Sequence, residues 1–393
     1  MILDHQGKSV RIAQALAARG CELVSNAEVA DVVLIDHDVP SHGKIQHAEA
    51  CVAAGGRAFI YPHGADSAVL AGWDGLFTPS PVITGLFAPG GPGHAEVARR
   101  FGYPHPVYDV GWTMCELRPR RAPHIVQNVL FAPLHPNGDG HLSEWLVARN
   151  RDIFDRLLAT PAKLTVRHID ELELNGIPRV DGVEYVQARL GDFAGQLAQI
   201  DATDVVVSDR STFSSIAVAR GATTVMFDAS VIAEDLARYY RVDHVELYRE
   251  YARFPFEAED GVDIWELMND AAIDSELVGD WRARFIGGPF DVDAMLDILV
   301  GDGAHLAPGV RSARLHRTAL TWVERSDYVG AARLLTEAIR GSVDLELLND
   351  LAVVWWNQGR EEDARALLRT CVALDPGDAS AAGNLAAIAP ATV

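Results

Sequence analysis

In the stretch Ser208-Asp209-Arg210-Ser211-Thr212-Phe213-Ser214, four hydroxyl side chains lie within five positions of one aspartate. Three kinds of chemistry could use them. A hydrolase nucleophile needs the strained G-x-S-x-G turn, and no glycine flanks Ser211, so that use is set aside. Ser211 or Thr212 suits a helix N-cap, where a side-chain oxygen accepts from first-turn amides. A helix starting there after a parallel strand also aims N–H groups and a positive dipole end at an anion. The helix start at Ser211 and Thr212 is therefore expected to cradle a diphosphate. Arg167 and His168 in "TVRHID", and His135 in "FAPLHPNGDGH", end neighbouring strand patterns, where a cation or donor would meet the same group.

A second set precedes these. His63, in "IYPHGAD", follows a strand pattern, and Gly64 permits close approach. A histidine so placed can take a proton from an acceptor hydroxyl at neutral pH, with Asp66 orienting the ring. Gly7, Lys8 and Ser9 suggest a P-loop, but Ile2 stands where that motif needs its first glycine. They remain a turn able to approach a phosphate or acceptor at the cleft. Asp36 and Asp38 form a D-x-D pair at a strand end, read as solvated loop acids, and no metal is expected. The only small molecule required is the donor, with no separate cofactor.

The elements that must position these residues alternate. "KSVRIAQALAARG" has helical apolar spacing and stops on Gly20, "ADVVLIDHD" is a buried-strand run, "HAEACVAAGG" is helical, and "RAFIYP" is a strand. "ELRPRRAPH" at 116–124 breaks the pattern as a linker. Alternation restarts with "NVLFAP", "SEWLVARNRDIFDRLL", "KLTVRH", "GDFAGQLAQI", "TDVVVS" and "TFSSIAVARG". Asp31-Val32-Val33 leading to Asp36 is matched by Asp204-Val205-Val206 leading to Asp209. The expectation is α/β: two Rossmann-like domains, 1–117 and 123–303, facing one another across a cleft, with ligands beyond the carboxyl ends of the strands.

From 310 to 393 the pattern is helical throughout. Leu315, Ala319, Trp322, Ala331 and Leu335 recur as Leu348, Ala352, Trp355, Ala364 and Leu368 at a period of 33, near the tetratricopeptide length. Two such repeats are too few to stand alone, so they are expected to dock on the preceding domain and to offer a surface for a protein partner.

The 393 residues carry a formal net charge of −21, with 49% hydrophobic residues. That surface has no basic field to displace counterions, which argues against nucleic acid as a partner. "MILDHQGKSV" lacks the regions of a signal peptide, and no apolar run approaches about 18 residues, so no transmembrane segment is expected. Cys21, Cys51, Cys115 and Cys371 are scattered, as in a reduced, cytoplasmic protein.

Over roughly residues 5–300 the chain resembles the CDP-glycerol glycerophosphotransferases of teichoic-acid synthesis, and GT-B glycosyltransferases more widely. "GKSVRIAQAL" is similar to that family's "GK-S…P-K-A" segment, "VLFAPLHP" to its "I-L-Y-A-P-T-W-R" strand, "TVRHID" to its "R-x-H-P", and "FIGGPFDVDAMLDIL" to its closing helix. "YPHGAD" resembles its "W-H-G-T", which implies His63 as general base. "SDRSTF" resembles its "T-D-Y-S-S", which implies that Asp209, Ser211 and Thr212 grip the donor diphosphate. The lysine after the family's H-G is absent, and His135-Pro136 replaces its "W-R". The resemblance implies transfer of a glycosyl or alditol-phosphate group from a nucleotide-diphosphate donor to an acceptor hydroxyl in cell-surface polymer or glycoconjugate synthesis. Two alternatives stay open: a UDP-sugar 2-epimerase or nucleotide-sugar hydrolase, whose opening helix "KSVRIAQALAARGCEL" also resembles, and a non-catalytic GT-B scaffold carrying partner-binding repeats.

Overall fold

The computed structural model describes residues 2–3, 10–24, 27–35, 44–61, 80–100, 103–121, 125–133, 144–169, 172–189, 192–209, 211–227, 253–301 and 308–388. A first parallel sheet holds β1 (Ile2–Leu3), β2 (Val32–Ile35), β3 (Arg57–Ile60), β4 (Ile83–Phe87) and β5 (Val107–Tyr108), side by side in chain order. Between them lie α1 (Val10–Ala18), α2 (Lys44–Ala53) and α3 (Gly93–Arg100). All four residues of β2, "VVLI", are buried; an unbroken apolar run is what a strand covered on both faces requires.

A second parallel sheet holds β6 (Asn128–Ala132), β7 (Lys163–His168), β8 (Glu184–Gln187), β9 (Val205–Ser208), β10 (Thr223–Phe227) and β11 (Glu257–Ala258). Its helices are α4 (Glu144–Leu158), α5 (Phe193–Asp201), α6 (Thr212–Ala219), α7 (Ile264–Ile273) and α8 (Ser275–Phe285), and α9 (Val292–Val300) follows. The spatial order is β11-β10-β9-β6-β7-β8. Winding runs outward from β6 through β7 to β8, then returns to the other side of β6 and continues through β9. The reversal between β6 and β9 is the switch point at which doubly wound sheets open a crevice.

Both sheets are parallel, as the alternation implied, but only the second has a reversal among the described residues. Strand–helix alternation dictates parallel pairing and leaves strand order open, so the Rossmann-like expectation for the first half holds for its layers and not for a switch point. The covering of the first sheet also departs from the expected boundary at 303. Met295 and Leu299 of α9 pack with Ile12 and Leu16 of α1 on Val32, Leu34 and Phe59, while Ile45, Ala48 and Cys51 of α2 cover the opposite face. Arg57 holds α9 in place by donating from Nη1 to the carbonyls of Ile298 (2.9 Å) and Leu299 (3.0 Å) at the helix end.

Among its described residues, 116–121, the segment read as a linker is tied down at each arginine. Its backbone runs along α6, with Arg118 N donating to Ala219 O (3.0 Å) and Arg121 N to Gly221 O (2.7 Å). Arg121 Nη2 donates to Ile200 O at 2.8 Å, Arg120 Nη2 reaches Ala271 O, and Arg118 pairs with Asp201 at 2.9 Å. Guanidinium groups thus cap the C-terminal carbonyls of α5 and α7, where the helix dipole favours cations. Arginine in a Pro-rich stretch looked like solvent exposure; its planar fork instead suits several carbonyls at once.

The remaining helices are α10 (Pro308–Glu324), α11 (Tyr328–Gly341), α12 (Leu345–Asn357), α13 (Glu361–Leu374) and α14 (Ala379–Ile388). Each packs on the next, and Leu315, Ala319, Trp322, Ala331, Leu335, Ala352, Ala364 and Leu368, residues of the 33-residue period, are buried. Where docking on the domain preceding it in sequence is the expectation, this segment among the described residues meets the first sheet's unit, through Asp31 and Val29. Arg314, 1% exposed, pairs with Asp31, which Arg311 also approaches at 3.7 Å, and Val29 joins the helical core. Replacing Asp31 with alanine should weaken this docking by about 2 kcal/mol, less than the 3–5 kcal/mol of a fully buried pair because Asp31 keeps 28% exposure. Faster hydrogen exchange in α10, with the second sheet unchanged, is the readout.

Cys51, fully buried on α2, donates to Ala30 O at 3.4 Å. Burial pushes its thiol up to about 11. The folded state therefore holds this proton more tightly, and the stability it contributes below pH 9 is lost as pH rises through about 11. The native protein should resist iodoacetamide at Cys51 at pH 8 and react once unfolded, which peptide mass mapping will resolve.

Candidate diphosphate site

At the carboxyl edge of the second sheet the register decides what meets what. Phe131 is the partner of both Val166 and Val207, and Ala132 is the partner of Ser208. Continuing the β6–β7 ladder by one residue sets Arg167, Ala132 and Ser208 in one row, on the sheet face opposite to Phe131, since successive side chains alternate. The next row contains His168, the last residue of β7, and Asp209, just past the end of β9. Ser208 Oγ donates to Asp209 Oδ1 at 3.1 Å, and Ser211 N donates to Asp209 O at 3.0 Å, which turns the chain tightly into α6.

Ser211 is the N-cap, with extended backbone at φ −122° and ψ 176°. Ser214 Oγ accepts from Ser211 N at 3.0 Å and donates to Ser211 O at 2.8 Å. From Ser214 to Ala219 every residue of α6 is buried, whereas Ser211, Thr212 and Phe213 are half-buried. Small side chains in "SSIAVA" let the helix sink among its neighbours, so its first turn alone reaches the surface. First-turn amides have no acceptor within their own helix.

Arg167 stands beside that turn. Its side chain is 6% exposed, its guanidinium carbon lies 4.5 Å from the centre of the Phe213 ring, and its Nε has no hydrogen-bond partner. Burial lowers its pKa from the usual arginine value, but arginine stays a cation in proteins. No carboxylate pairs with it among the described residues. By contrast, Arg149 and Arg220, equally buried on this domain, pair with Asp260 and Asp201. His168, 8% exposed, is the next residue, and its carbonyl accepts from Ala188 N at 2.7 Å.

Of the residues anticipated from sequence, the structure therefore brings Arg167, His168, Asp209, Ser211 and Thr212 to one sheet edge. Gly7, Lys8, Ser9, His63, Gly64, Asp66 and His135 lie outside the described residues, as do Asp36 and Asp38. The strand leading to His63 is anchored: Tyr61, fully enclosed, meets Thr113 through its hydroxyl, and burial pushes that phenol up to about 12. Sequence reasoning missed Phe213 and Ser208. Phe213 passed as an apolar helix residue, and Ser208's position beside Arg167 is a matter of register that no single strand displays.

One glycine-rich loop is not a cradle. In "APGGPGHAE", leading into α3, an added Cβ at Gly90 or Gly91 would lie 2.6 Å from the carbonyl oxygens of Phe285 and Arg284. His94 Nε2 lies 2.9 Å from Phe285 O. Backbone oxygens fill the space where a phosphate would have to sit, so this loop is a packing seam. An open depression of about 670 Å³ on the other side of this loop, lined by Pro92, Glu96, Arg99, Tyr103, His105 and Arg284, shares none of the anticipated residues.

No family model and no curated protein matches the sequence. Among solved structures, similarity is found to the glycosyltransferase VinC in complex with dTDP, at 15% identity and a TM-score of 0.35, over 75% of this chain and 74% of that one. It is also found to a mutant of S. aureus TarM in complex with fondaparinux, alpha-GlcNAc-glycerol and UDP, at 10% identity and a TM-score of 0.37, over 70% of this chain and 56% of that one. Overlaps this loose carry no argument about fold or function. No described helix is long and apolar enough to cross a membrane.

Proposed function

We infer that the chain is a GT-B-type transferase that binds a nucleotide-diphosphate-activated donor at the second sheet and moves its glycosyl or alditol-phosphate group to an acceptor hydroxyl. The observation that carries this reading is Arg167: a desolvated cation with no carboxylate partner among the described residues, pressed against the first turn of a helix otherwise buried. An unpaired buried charge is costly, and an anionic ligand at that helix end supplies the missing counter-charge together with acceptors for the first-turn amides. The position is the switch point of a doubly wound sheet. Ser211, Thr212 and Arg167 would stabilise charge developing on the departing diphosphate, with His168 and His135 assisting. Asp209 fixes the turn. His63, with Gly64 and Asp66, takes the base role on the acceptor, and Gly7, Lys8 and Ser9 approach the same cleft. Teichoic-acid or other cell-surface polymer synthesis is the proposed setting, with tetratricopeptide-like repeats as the partner surface.

A thermal-shift screen against CDP, UDP, GDP and dTDP tests the binding step. A nucleotide at 100 times its dissociation constant adds about 2.7 kcal/mol, and one base should stand out. No shift with any of the four at millimolar concentration would overturn the reading. Free nucleotide released only when an acceptor alcohol is present then separates transfer from hydrolysis or epimerisation.

A further inference from the structure

Away from the second sheet, between the first and third helices of the C-terminal stack, three side chains of metal-binding type converge. Glu346 and Asp350 are four residues apart on α12, hence on one helical face, and His316 reaches them from α10. Their ligand atoms all lie within 4.8 Å of one another. His316 Nε2 and Asp350 Oδ2 are 2.7 Å apart, with the imidazole 15% and the carboxylate 25% exposed.

Two carboxylates meet at this cluster, whereas other acids of the stack without an arginine partner, such as Asp327, Asp344, Asp375 and Asp378, individually accept from backbone amides. Elsewhere on the stack, Glu337 pairs with Arg311 and Arg340, Asp363 with Arg360, and Glu362 with Arg365. Glu346 and Asp350 have no Lys or Arg partner among the described residues; the imidazole is their one counter-group. Two carboxylates and an imidazole, which ligates a metal in its neutral form, make a ligand set of formal charge −2 that a divalent cation neutralises.

We propose that His316, Glu346 and Asp350 form a divalent transition-metal site that staples α10 to α12. The imidazole donor favours zinc over magnesium or calcium, which prefer oxygen ligands throughout. Around tetrahedral zinc at about 2.0–2.1 Å, ligand atoms sit roughly 3.3 Å apart. His316 and Asp350 must therefore separate by about 0.6 Å, and Glu346, exposed and free to change rotamer, closes the third side. Three protein ligands leave the solvent side of the ion for water. This site is independent of the diphosphate reading.

The test is titration of chelator-treated full-length protein with Zn²⁺ alone, by calorimetry. Wild type should take up zinc at a site that Glu346→Gln and Asp350→Asn weaken at least about 100-fold, beyond the 10–100-fold cost of losing an outer partner. Helix content by circular dichroism should be unchanged, since Glu346 is exposed and makes no side-chain hydrogen bond that holds the fold. Co²⁺ substituted for zinc should give a visible absorption band that His316→Ala removes. Wild type that does not bind Zn²⁺, a Glu346→Gln protein that binds as tightly as wild type, or Mg²⁺ competing on equal terms would each overturn the proposal.

Discussion

Replacing Arg167 with methionine should weaken binding of the preferred nucleoside diphosphate about 10- to 150-fold while leaving the ligand-free protein as stable as wild type or more so. Hydrogen bonds to a charged partner contribute about 1.5–3 kcal/mol, and each 1.4 kcal/mol is tenfold in affinity. The second half of the expectation separates function from architecture. A buried arginine that served the fold would have polar partners, as Arg220 has Asp201 at 2.5 Å and the half-buried Arg120 and Arg121 have helix-end carbonyls, and its loss would strand them. Arg167 has no such partner among the described residues, so an apolar side chain of similar length removes a desolvation cost and keeps contact with Phe213. Arg167→Lys should keep part of the affinity, because it retains charge without the planar fork. A methionine variant that unfolds at lower temperature yet responds to nucleotide as wild type does would remove Arg167 from the site.

Gly221→Ala should destabilise the second-sheet unit by about 2–5 kcal/mol. Gly221 has φ +77°, in the left-handed region, and an added Cβ would lie 2.0 Å from the carbonyl oxygen of Pro119 and 2.7 Å from its carbon. The obstruction is backbone, so no side chain can swing aside. The left-handed conformation costs about 1–2 kcal/mol for an alanine, and overpacking adds about 1–3 kcal/mol. Gly182 is the control: φ is +85° and nothing lies within 4 Å of its added Cβ. Gly182→Ala should therefore show the conformational cost alone. Urea midpoints of the two variants measure the difference; equal midpoints would mean that the 118–121 segment is not held against Gly221 in solution.

Much of this arrangement was legible from residue order. Unbroken apolar runs such as "VVLI" and "VVVS" mark strands covered on both faces, and "SDRSTF" marks a helix start after a strand. What the chain order does not display is which strands become neighbours. Arg167 and Ser208 are 41 positions apart, and only the β7-β6-β9 register places them in one row. The Asp-Val-Val motifs illustrate the same limit. Asp204 receives the amide of Asn128 at 2.8 Å, and Asp31 receives Arg314, so both serve structure at the amino-terminal edges of their strands. Docking of the helical stack on the first unit was also out of reach, because it depends on one buried arginine meeting an aspartate 283 residues away.

Since α9 and the helical stack both return to the first sheet, the whole second-sheet unit is an insertion bounded by two chain crossings. Those crossings run side by side: Trp112 bridges Pro289, and Gly111 has φ +75° with Pro289 O 2.2 Å from its added Cβ. Any swing of one sheet against the other must turn about this double tether and part the seam between Gly90–Gly91 and Arg284–Phe285. The C-terminal stack would travel with the first sheet, so whatever it holds is carried by that unit and not by the second.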